Sequence, residues 1–231
     1  MARSFTPENV LVFVNLMTVV ILSIAFHEFA HAWLADRFGD PTPRMAGRIS
    51  FNPFVHIHPI WTVLLPAVLF WTNTGFMAAA STPVNPARMR KPRLHGLLTA
   101  LGGPAANLLL ACVGFAVLSV FLLAVGGAGK GGRIGNVRVA DLLYMATSRN
   151  LMLAVFNFLP LPPLDGGEMI GSALPAGLRG YWGVVRRNAS MIFIILAVTG
   201  LLWRIVGPIM VGAEAVLDFG VGIVNGIAHG G

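Results

Sequence analysis

The sequence has little charge and almost no cysteine. Only 11% of its 231 residues are charged, whereas soluble domains usually have about 25%. Its one cysteine, Cys112, cannot form an intrachain disulfide. Among the charged residues the acids are the scarcer, with nine Asp and Glu against sixteen Lys and Arg. This composition excludes an ordinary soluble domain and a disulfide scaffold, and it leaves very few carboxylates for any chemistry.

Most of the remaining residues are apolar. They make up 56% of the chain, and the mean hydropathy is +0.76. Several apolar stretches approach the roughly 20 residues that cross a bilayer. We therefore predict an all-α polytopic membrane protein with a single membrane-embedded domain over residues 1–231. Its motif-bearing core would cover about 10–175, and C-terminal helices would cover about 189–228.

The chain divides into five or six apolar segments. The stretch 44–56, RMAGRISFNPFVH, carries β-branched and aromatic residues between glycine and proline breaks, and predicts a small extended or β region. Glycines and two acidic residues make the sixth segment a weaker prediction than the others. The segments run over about 10–36, 59–76, 97–125, 139–159, 189–206 and 209–228.

The first segment ends in HEFAH, residues 27–31. Residues four apart lie on one face of a helix, so His27 and His31 can present imidazole nitrogens to one metal ion. Imidazoles suit Zn²⁺, and a catalytic zinc site has three protein ligands and a water. Glu28 can reach that water and act as general base.

The apolar surroundings separate this motif from a chance match. Acidic and basic groups inside a membrane segment cost roughly 2.5–3.5 kcal/mol each on insertion scales. Such groups persist only where they have partners, and a metal ion supplies them. The setting therefore favours a metal site.

A third ligand must come from the few remaining acids. Asp165 lies in NFLPLPPLDGGEMI, where prolines break an apolar helix. Irregular backbone at membrane depth occurs where it is buried in protein or lines a water-filled cavity. We therefore predict Asp165 as the third ligand and Glu168 as the alternative, although a charge near a helix N-terminus also explains Glu168.

Three motifs in order resemble one known family. HEFAH, GGPAANLLLA and NFLPLPPLDGG, over roughly residues 20–170, are similar to the site-2 proteases, which are intramembrane zinc metalloproteases. GRISFNPFVHIHP and VNPARMRKPR resemble the short prokaryotic branch, without a PDZ or CBS domain. The resemblance implies one zinc per chain, held by His27, His31 and Asp165, and peptide hydrolysis within the membrane with Glu28 as base.

Two asparagines and two histidines are further candidates. The resemblance implies that Asn157 contacts the substrate backbone or an oxyanion. Asn107 either packs its helix against the first segment through small neighbours or contacts the substrate directly. His56 and His58 could meet solvent, substrate or an inhibitory contact, and an interfacial role is favoured for both.

The metal site constrains the topology. HEFAH and Asp165 each lie late in their apolar segments, so the first and fourth segments must run in the same direction. We therefore predict that the second segment is re-entrant. Ten of the sixteen basic residues then lie on the HEFAH side, which indicates a multi-pass protein of the cell membrane whose active site lies towards the cytoplasm.

The expected function is cleavage of membrane-spanning segments, with single-span membrane proteins as substrates and the bilayer as solvent. The net charge of +7 does not indicate nucleic acid, because the basic residues cluster in short loops beside apolar segments. Two alternatives stay open. A metal-ion transporter would also keep His and Asp in the membrane, and a non-catalytic adaptor could keep the same fold.

Overall fold

The structure is a computed structural model that describes residues 2–73, 80–127, 132–134 and 137–230. Helices dominate it. They are α1 Pro7–Arg37, α2 Thr42–Met45, α3 Leu65–Thr72, α4 Pro92–Val125, α5 Val139–Asn157, α6 Asp165–Ala173, α7 Arg179–Arg187, α8 Ala189–Val198 and α9 Leu201–Gly230. A π-helical turn, Pro59–Leu64, leads into α3. Two short strands, β1 Arg133–Ile134 and β2 Val137–Arg138, pair antiparallel.

Capping residues in the sequence explain where the first helix begins. The Thr6 side chain accepts a hydrogen bond from the Asn9 amide, and Pro7 occupies the first turn, where its missing N–H is not needed. The helix continues through HEFAH to Arg37. One unbroken helix therefore fixes the two histidines on a common face.

Helices α1 and α4 pack antiparallel. The Asn107 side-chain amide donates to the Ser23 carbonyl, whereas His31, further along α1, bonds to Thr99, which is earlier in α4. The approach is close because Gly102 has no side chain, and a Cβ there would lie 2.5 Å from Leu34 Cδ1. Small residues at membrane-helix contacts allow such approach.

Helix α5 also packs antiparallel to α4. Asn107 bonds to Asn150, and Gly114 lies against Thr147. Since α4 is antiparallel to both of its neighbours, α1 and α5 run in the same direction. Two helices must run in the same direction if residues near their C-terminal ends are to share one site.

Three helices in the described part of the chain are long and apolar enough to cross a membrane. They are Pro7–Arg37, Pro92–Val125 and Leu201–His229. The structure therefore agrees with a membrane protein built from helices. The larger number of five or six apolar segments is not confirmed.

The prediction of an extended region over 44–56 was wrong. These residues form the end of α2, a 3₁₀ turn at Pro53–Val55 and irregular chain. Arg48 Nη1 donates to the Val55 carbonyl, and the Phe51 ring stacks on Phe29 of α1 at 3.9 Å between centroids. The segment bonds within itself and packs on a helix, and in the described part of the chain no strand pairs with it.

The described chain on both sides of residues 74–79 contacts α1. The Trp71 carbonyl accepts from the Arg3 amide at the N-terminal end of α1. Further on, Thr82 Oγ1 lies 3.4 Å from the Glu28 carbonyl. The C-terminal end of α3 therefore lies beside the start of α1, and Thr82 lies at the level of HEFAH. The last residues predicted for the second apolar segment, 74–76, lie outside the described residues, and its re-entrant nature stays a prediction.

The C-terminal boundaries differ from those expected. The segment 189–206 ends early at Val198, and the stretch 209–228 belongs to a longer helix that begins at Leu201. Gly200 makes the turn with a φ of +73°, a conformation that glycine adopts without strain. Pro208, where the break was expected, lies inside α9, because membrane helices tolerate interior proline.

We predict that cysteines introduced near Arg48 and near Met89, the second at an exposed neighbour such as Arg88 because Met89 itself is buried, label from the same side of the membrane. Both positions flank the excursion of the second segment, and a re-entrant segment returns the chain to the side it left. The measurement is labelling with a membrane-impermeant maleimide in a Cys112→Ala background. Arg138→Cys, at the opposite end of α5 from Asn157, serves as the control and should label from the other side. Opposite labelling of the positions near Arg48 and Met89 would show that the segment crosses.

Candidate metal centre

Three side chains converge where α1 meets α6. His27 Nε2 lies 3.1 Å from Asp165 Oδ2, and His31 Nε2 lies 3.3 Å from Asp165 Oδ1. The two Nε2 atoms are 3.1 Å apart. Ligand atoms on one tetrahedral zinc would be separated by roughly 3.3 Å, given bonds of about 2.0–2.1 Å. The three side chains are therefore spaced as ligands of one zinc ion.

The outer nitrogens of both rings are held by α4. His31 Nδ1 lies 2.7 Å from the Thr99 carbonyl oxygen, which can only accept, so this nitrogen is the donor. His27 Nδ1 lies 2.5 Å from Asn107 Oδ1. With Nδ1 protonated in both rings, each neutral imidazole directs the lone pair of Nε2 inwards. Metal-bound histidines are commonly oriented in this way.

The orientation of the Asn107 amide follows from its other partners. Its Nδ2 lies 3.4 Å from the Ser23 carbonyl and 3.0 Å from Asn150 Oδ1. The Ser23 carbonyl only accepts, so the nitrogen must face it and Oδ1 must face His27. Both polar atoms of this fully buried side chain take part in these bonds. A direct contact between Asn107 and substrate stays a prediction.

This arrangement favours a cation. Two lone pairs at 3.1 Å repel each other unless a proton or a metal ion lies between them. All three residues are shielded, with His27 and His31 buried and Asp165 half-buried, so water screens that repulsion poorly. A divalent ion shared with the Asp165 carboxylate removes it. The donor set, two imidazoles and one carboxylate, is one that catalytic zinc sites use.

Glycine at position 103 leaves room for the centre. A Cβ there would collide with His31 Nε2 and lie 2.6 Å from His27 Nε2. Any side chain at this position would therefore occupy the space between the ligand nitrogens. The Gly-Gly pair of GGPAAN thus serves both the contact between α1 and α4 and the centre itself.

Asp165 is positioned by the break between α5 and α6. Helix α5 ends at Asn157, and Asp165 is the first residue of α6. The following glycines let the new helix begin against the preceding loop, because a Cβ on Gly167 would lie 2.6 Å from the Pro162 nitrogen. The LPPLDGG sequence therefore turns the chain and presents the carboxylate at a helix start.

Glu28 lies beside the centre and is not one of the three converging residues. Its side chain is only 5% exposed, and Oε2 is buried with no hydrogen-bond partner among the described residues. Glu28 follows His27 directly in the chain and precedes His31 by three residues on the same helix. A buried carboxylate oxygen without a protein partner is costly, and a bound water or ligand would satisfy it.

The other candidates lie apart from the centre. Arg186 Nε donates to Glu168 Oε1 at 2.8 Å, and burial raises the pKa of the Glu168 carboxyl although Arg186 opposes the shift. Asn157 donates to the Leu153 carbonyl of its own helix, so its predicted contact with substrate stays a prediction.

The other two candidate histidines, His56 and His58, bond within their own part of the chain. His56 Nε2 lies 2.9 Å from the Ser50 carbonyl oxygen within the loop. His58 Nδ1 accepts, at 3.5 Å, from the Trp61 amide at the start of the π-helical turn. Neither belongs to the group of converging ligands.

Sequence reasoning missed the support around the ligands. Thr99 contributes a backbone carbonyl, which no side-chain pattern reveals. Asn150 lies on α5 without any motif around it. Gly103 stood inside a quoted motif, but only the packing shows that the histidine rings fill the space beside it.

Comparison with known proteins decides the family. The model of peptidase family M50 matches residues 15–130 and 125–199, which together are most of the chain. The chain belongs to peptidase family M50. This M50 chain is therefore a site-2 protease relative, as its three motifs indicated, and zinc is its expected metal.

Curated relatives agree with the family. The M50 chain is 34% identical over 209 residues to "Putative zinc metalloprotease YwhC" of Bacillus subtilis, covering 87% of this chain and 89% of that protein. It is 27% identical over 199 residues to "Putative zinc metalloprotease Rip2" of Mycolicibacterium smegmatis, covering 84% and 70%. The Rip2 of Mycobacterium tuberculosis H37Rv is 30% identical over 155 residues, covering 67% and 55%. No solved structure matches this chain.

Family and structure together describe a membrane metalloprotease. The family supplies the class of enzyme and its zinc. The structure supplies long apolar helices and a group of His27, His31 and Asp165 whose ligand atoms all lie within 4.8 Å of one another.

We predict one zinc per chain, with its retention dependent on His27, His31 and Asp165. Replacing any of them by Ala leaves two ligands, so each variant should lose most of its metal. The measurement is metal analysis of purified protein after dialysis against a weak chelator. Glu168→Ala is the matched control and should keep its zinc, because that carboxylate pairs with Arg186. Full zinc in Asp165→Ala would refute the ligand assignment.

We also predict that Asn107→Ala weakens zinc binding by roughly 10–100-fold, the usual effect of removing a partner that orients a ligand. The substitution frees the His27 ring and leaves its Nδ1 unpaired. Competition with a chelating indicator measures the affinity. Asn188→Ala, which removes an exposed side chain that donates to the Val184 carbonyl, is the control. Unchanged affinity in Asn107→Ala would mean that Asn107 does not orient the ligand.

Proposed function

We propose that this M50 protein is an intramembrane zinc endopeptidase that hydrolyses peptide bonds in membrane-spanning segments. The observation that carries the proposal is the buried Glu28 carboxylate, whose Oε2 has no hydrogen-bond partner among the described residues, beside three converging ligands. A purely structural carboxylate would be bonded to protein. A carboxylate oxygen without such a partner, next to a metal site, is free to bond to a metal-bound water.

The roles of the residues follow from their positions. His27, His31 and Asp165 would hold the metal and leave the remaining position to water or substrate. When bound, zinc supplies Lewis-acid activation of water and of the scissile carbonyl. Glu28 accepts the proton that the attacking water loses and passes it to the leaving amine, so one carboxylate serves as base and then as acid.

Asn107 and Thr99 are positioning groups in this proposal. They hold the rings so that both Nε2 atoms face inwards, and they prevent either imidazole from turning its N–H towards the metal. Asn157, at the end of α5, is proposed as a contact for the substrate backbone or an oxyanion. Its present bond to Leu153 lies within its own helix and could be exchanged for a substrate.

The proposed substrates are single-span membrane proteins in the cell membrane, cleaved towards the cytoplasmic side. Support for this orientation comes from the basic residues, most of which lie on the HEFAH side when the second segment is re-entrant. A zinc transporter would need no base beside its ligands. A non-catalytic adaptor would not need the carboxylate to stay unpaired.

We predict that Glu28→Gln retains zinc and loses cleavage by at least about 10²–10⁴-fold, the usual contribution of general acid–base catalysis. Glutamine keeps the size of the side chain and removes its basicity. Fragments of co-expressed single-span membrane proteins measure cleavage, and metal analysis measures zinc. Glu8→Gln, an exposed position in the first turn of the same helix, is the control.

Three outcomes would contradict parts of this proposal. Loss of zinc along with activity in Glu28→Gln would make Glu28 a ligand. Near-normal cleavage by the same variant would end the mechanism. Zinc uptake into vesicles that is unaffected by Glu28→Gln would favour a transporter.

A further inference from the structure

A basic cavity lies at the C-terminal end of α1, beyond the metal centre. It is open to solvent and has a volume of about 480 Å³. Cavities of this size accommodate small-molecule groups. It is lined by one aromatic, one aliphatic, one acidic and three basic residues, which are Trp33, Ile49, Asp36, Arg37, Arg44 and Arg90.

The cavity has an excess of positive charge. Its one carboxylate, Asp36, pairs with Arg44, with Oδ2 and Nη2 2.5 Å apart. The Arg37 guanidinium lies 5.4 Å from the centre of the Trp33 ring. Three guanidinium groups therefore face one carboxylate, and two positive charges are left uncompensated within the lining.

Capping of the α1 C-terminus does not account for this charge. A helix C-terminus carries the equivalent of roughly half a negative charge and attracts cations. Arg90 Nη2 meets that need by donating to the Arg37 carbonyl at 3.3 Å. Even with the helix end and Asp36 counted as negative, the three arginines leave the cavity positive.

The walls of the cavity are held in place by buried hydrogen bonds. Asp40 is fully buried, and its carboxylate accepts from the amides of Thr42 and Asn85, at 3.0 and 2.6 Å. The Arg90 amide donates to the Phe38 carbonyl at 3.0 Å. These bonds join the end of α1, the start of α2 and the chain before α4, so the arginines are brought together by a fixed frame.

An exposed apolar strip leads to the cavity along α1. Phe26 and Trp33 are 41% and 42% exposed, and their spacing of seven, with Arg37 four residues further, puts all three on one face of the helix. Phe51 covers part of this face and is itself 55% exposed. A soluble phosphate compound would not pack on such a strip, whereas an acyl chain would.

We propose that the cavity binds the phosphate of an anionic phospholipid, with Arg37, Arg44 and Arg90 around the head group and an acyl chain along Phe26, Trp33 and Phe51. Basic pockets beside membrane helices suit anionic head groups, and aromatic side chains suit the interface. This binding site is separate from the metal ligands, and it does not depend on the proposed peptidase activity.

The experiment titrates the zinc-loaded protein in neutral detergent with phosphatidylglycerol, and native mass spectrometry counts the bound lipid. Arg37→Gln/Arg90→Gln should weaken the tightest binding by about tenfold or more, because each arginine near a head group contributes to the attraction. Arg187→Gln/Arg204→Gln removes the same charge from exposed positions elsewhere and should leave it unchanged. Asp36→Asn removes the competing carboxylate and should tighten binding.

Phosphatidylcholine and inorganic phosphate distinguish the possible sources of the phosphate. Phosphatidylcholine should bind at least about tenfold more weakly, because its head group has no net charge. Inorganic phosphate in millimolar excess should not displace the lipid. Equal binding of phosphatidylcholine, or equal binding by the Arg37→Gln/Arg90→Gln variant and its control, overturns the proposal. Displacement by inorganic phosphate overturns the assignment to lipid.

Discussion

The fold depends on two imidazole nitrogens that face each other inside an apolar helix bundle. The Nε2 atoms of His27 and His31 lie 3.1 Å apart and face the same space. They do so because α4 provides hydrogen-bond partners for both Nδ1 atoms. Lone pairs in this relation need a cation, and the nearest anion, Asp165, comes from a different part of the chain. Binding of the metal therefore connects α1 to α6 and rests on the packing of α4.

Helix α4 meets two requirements with the same residues. Gly102 lets its backbone approach α1, and Gly103 leaves the space in which the histidine rings meet. Without a hydrophobic driving force between helices in lipid, close packing and hydrogen bonds hold them together. Asn107 supplies such bonds to α1 and α5 at once. The contact that holds the bundle together is therefore also the contact that orients the ligands.

The sequence predicted those features that local chemistry determines. A spacing of four places His27 and His31 on one face, and the scarcity of acids leaves Asp165 as the partner at a proline break. The partners of the ring Nδ1 atoms depend on how two helices meet, so they could not be found in one segment. The extended region at 44–56 was expected from β-branched and aromatic residues, but a strand needs a neighbour, and this segment has a helix face instead.

The basic cavity and the metal centre lie on the same helix, so the position of one fixes the depth of the other. Arg37 follows His31 by six residues on the same helix, which is about 9 Å at 1.5 Å per residue. A head group held at Arg37 would therefore place the metal centre about that far inside the leaflet. In the proposed function, a substrate helix would be fully hydrogen-bonded at such depth, so a peptide bond would have to leave its helix before it could reach Glu28. Glu28 Oε2, buried and without a hydrogen-bond partner among the described residues, and the irregular chain before Asp165 would suit a site that receives backbone in that unwound form.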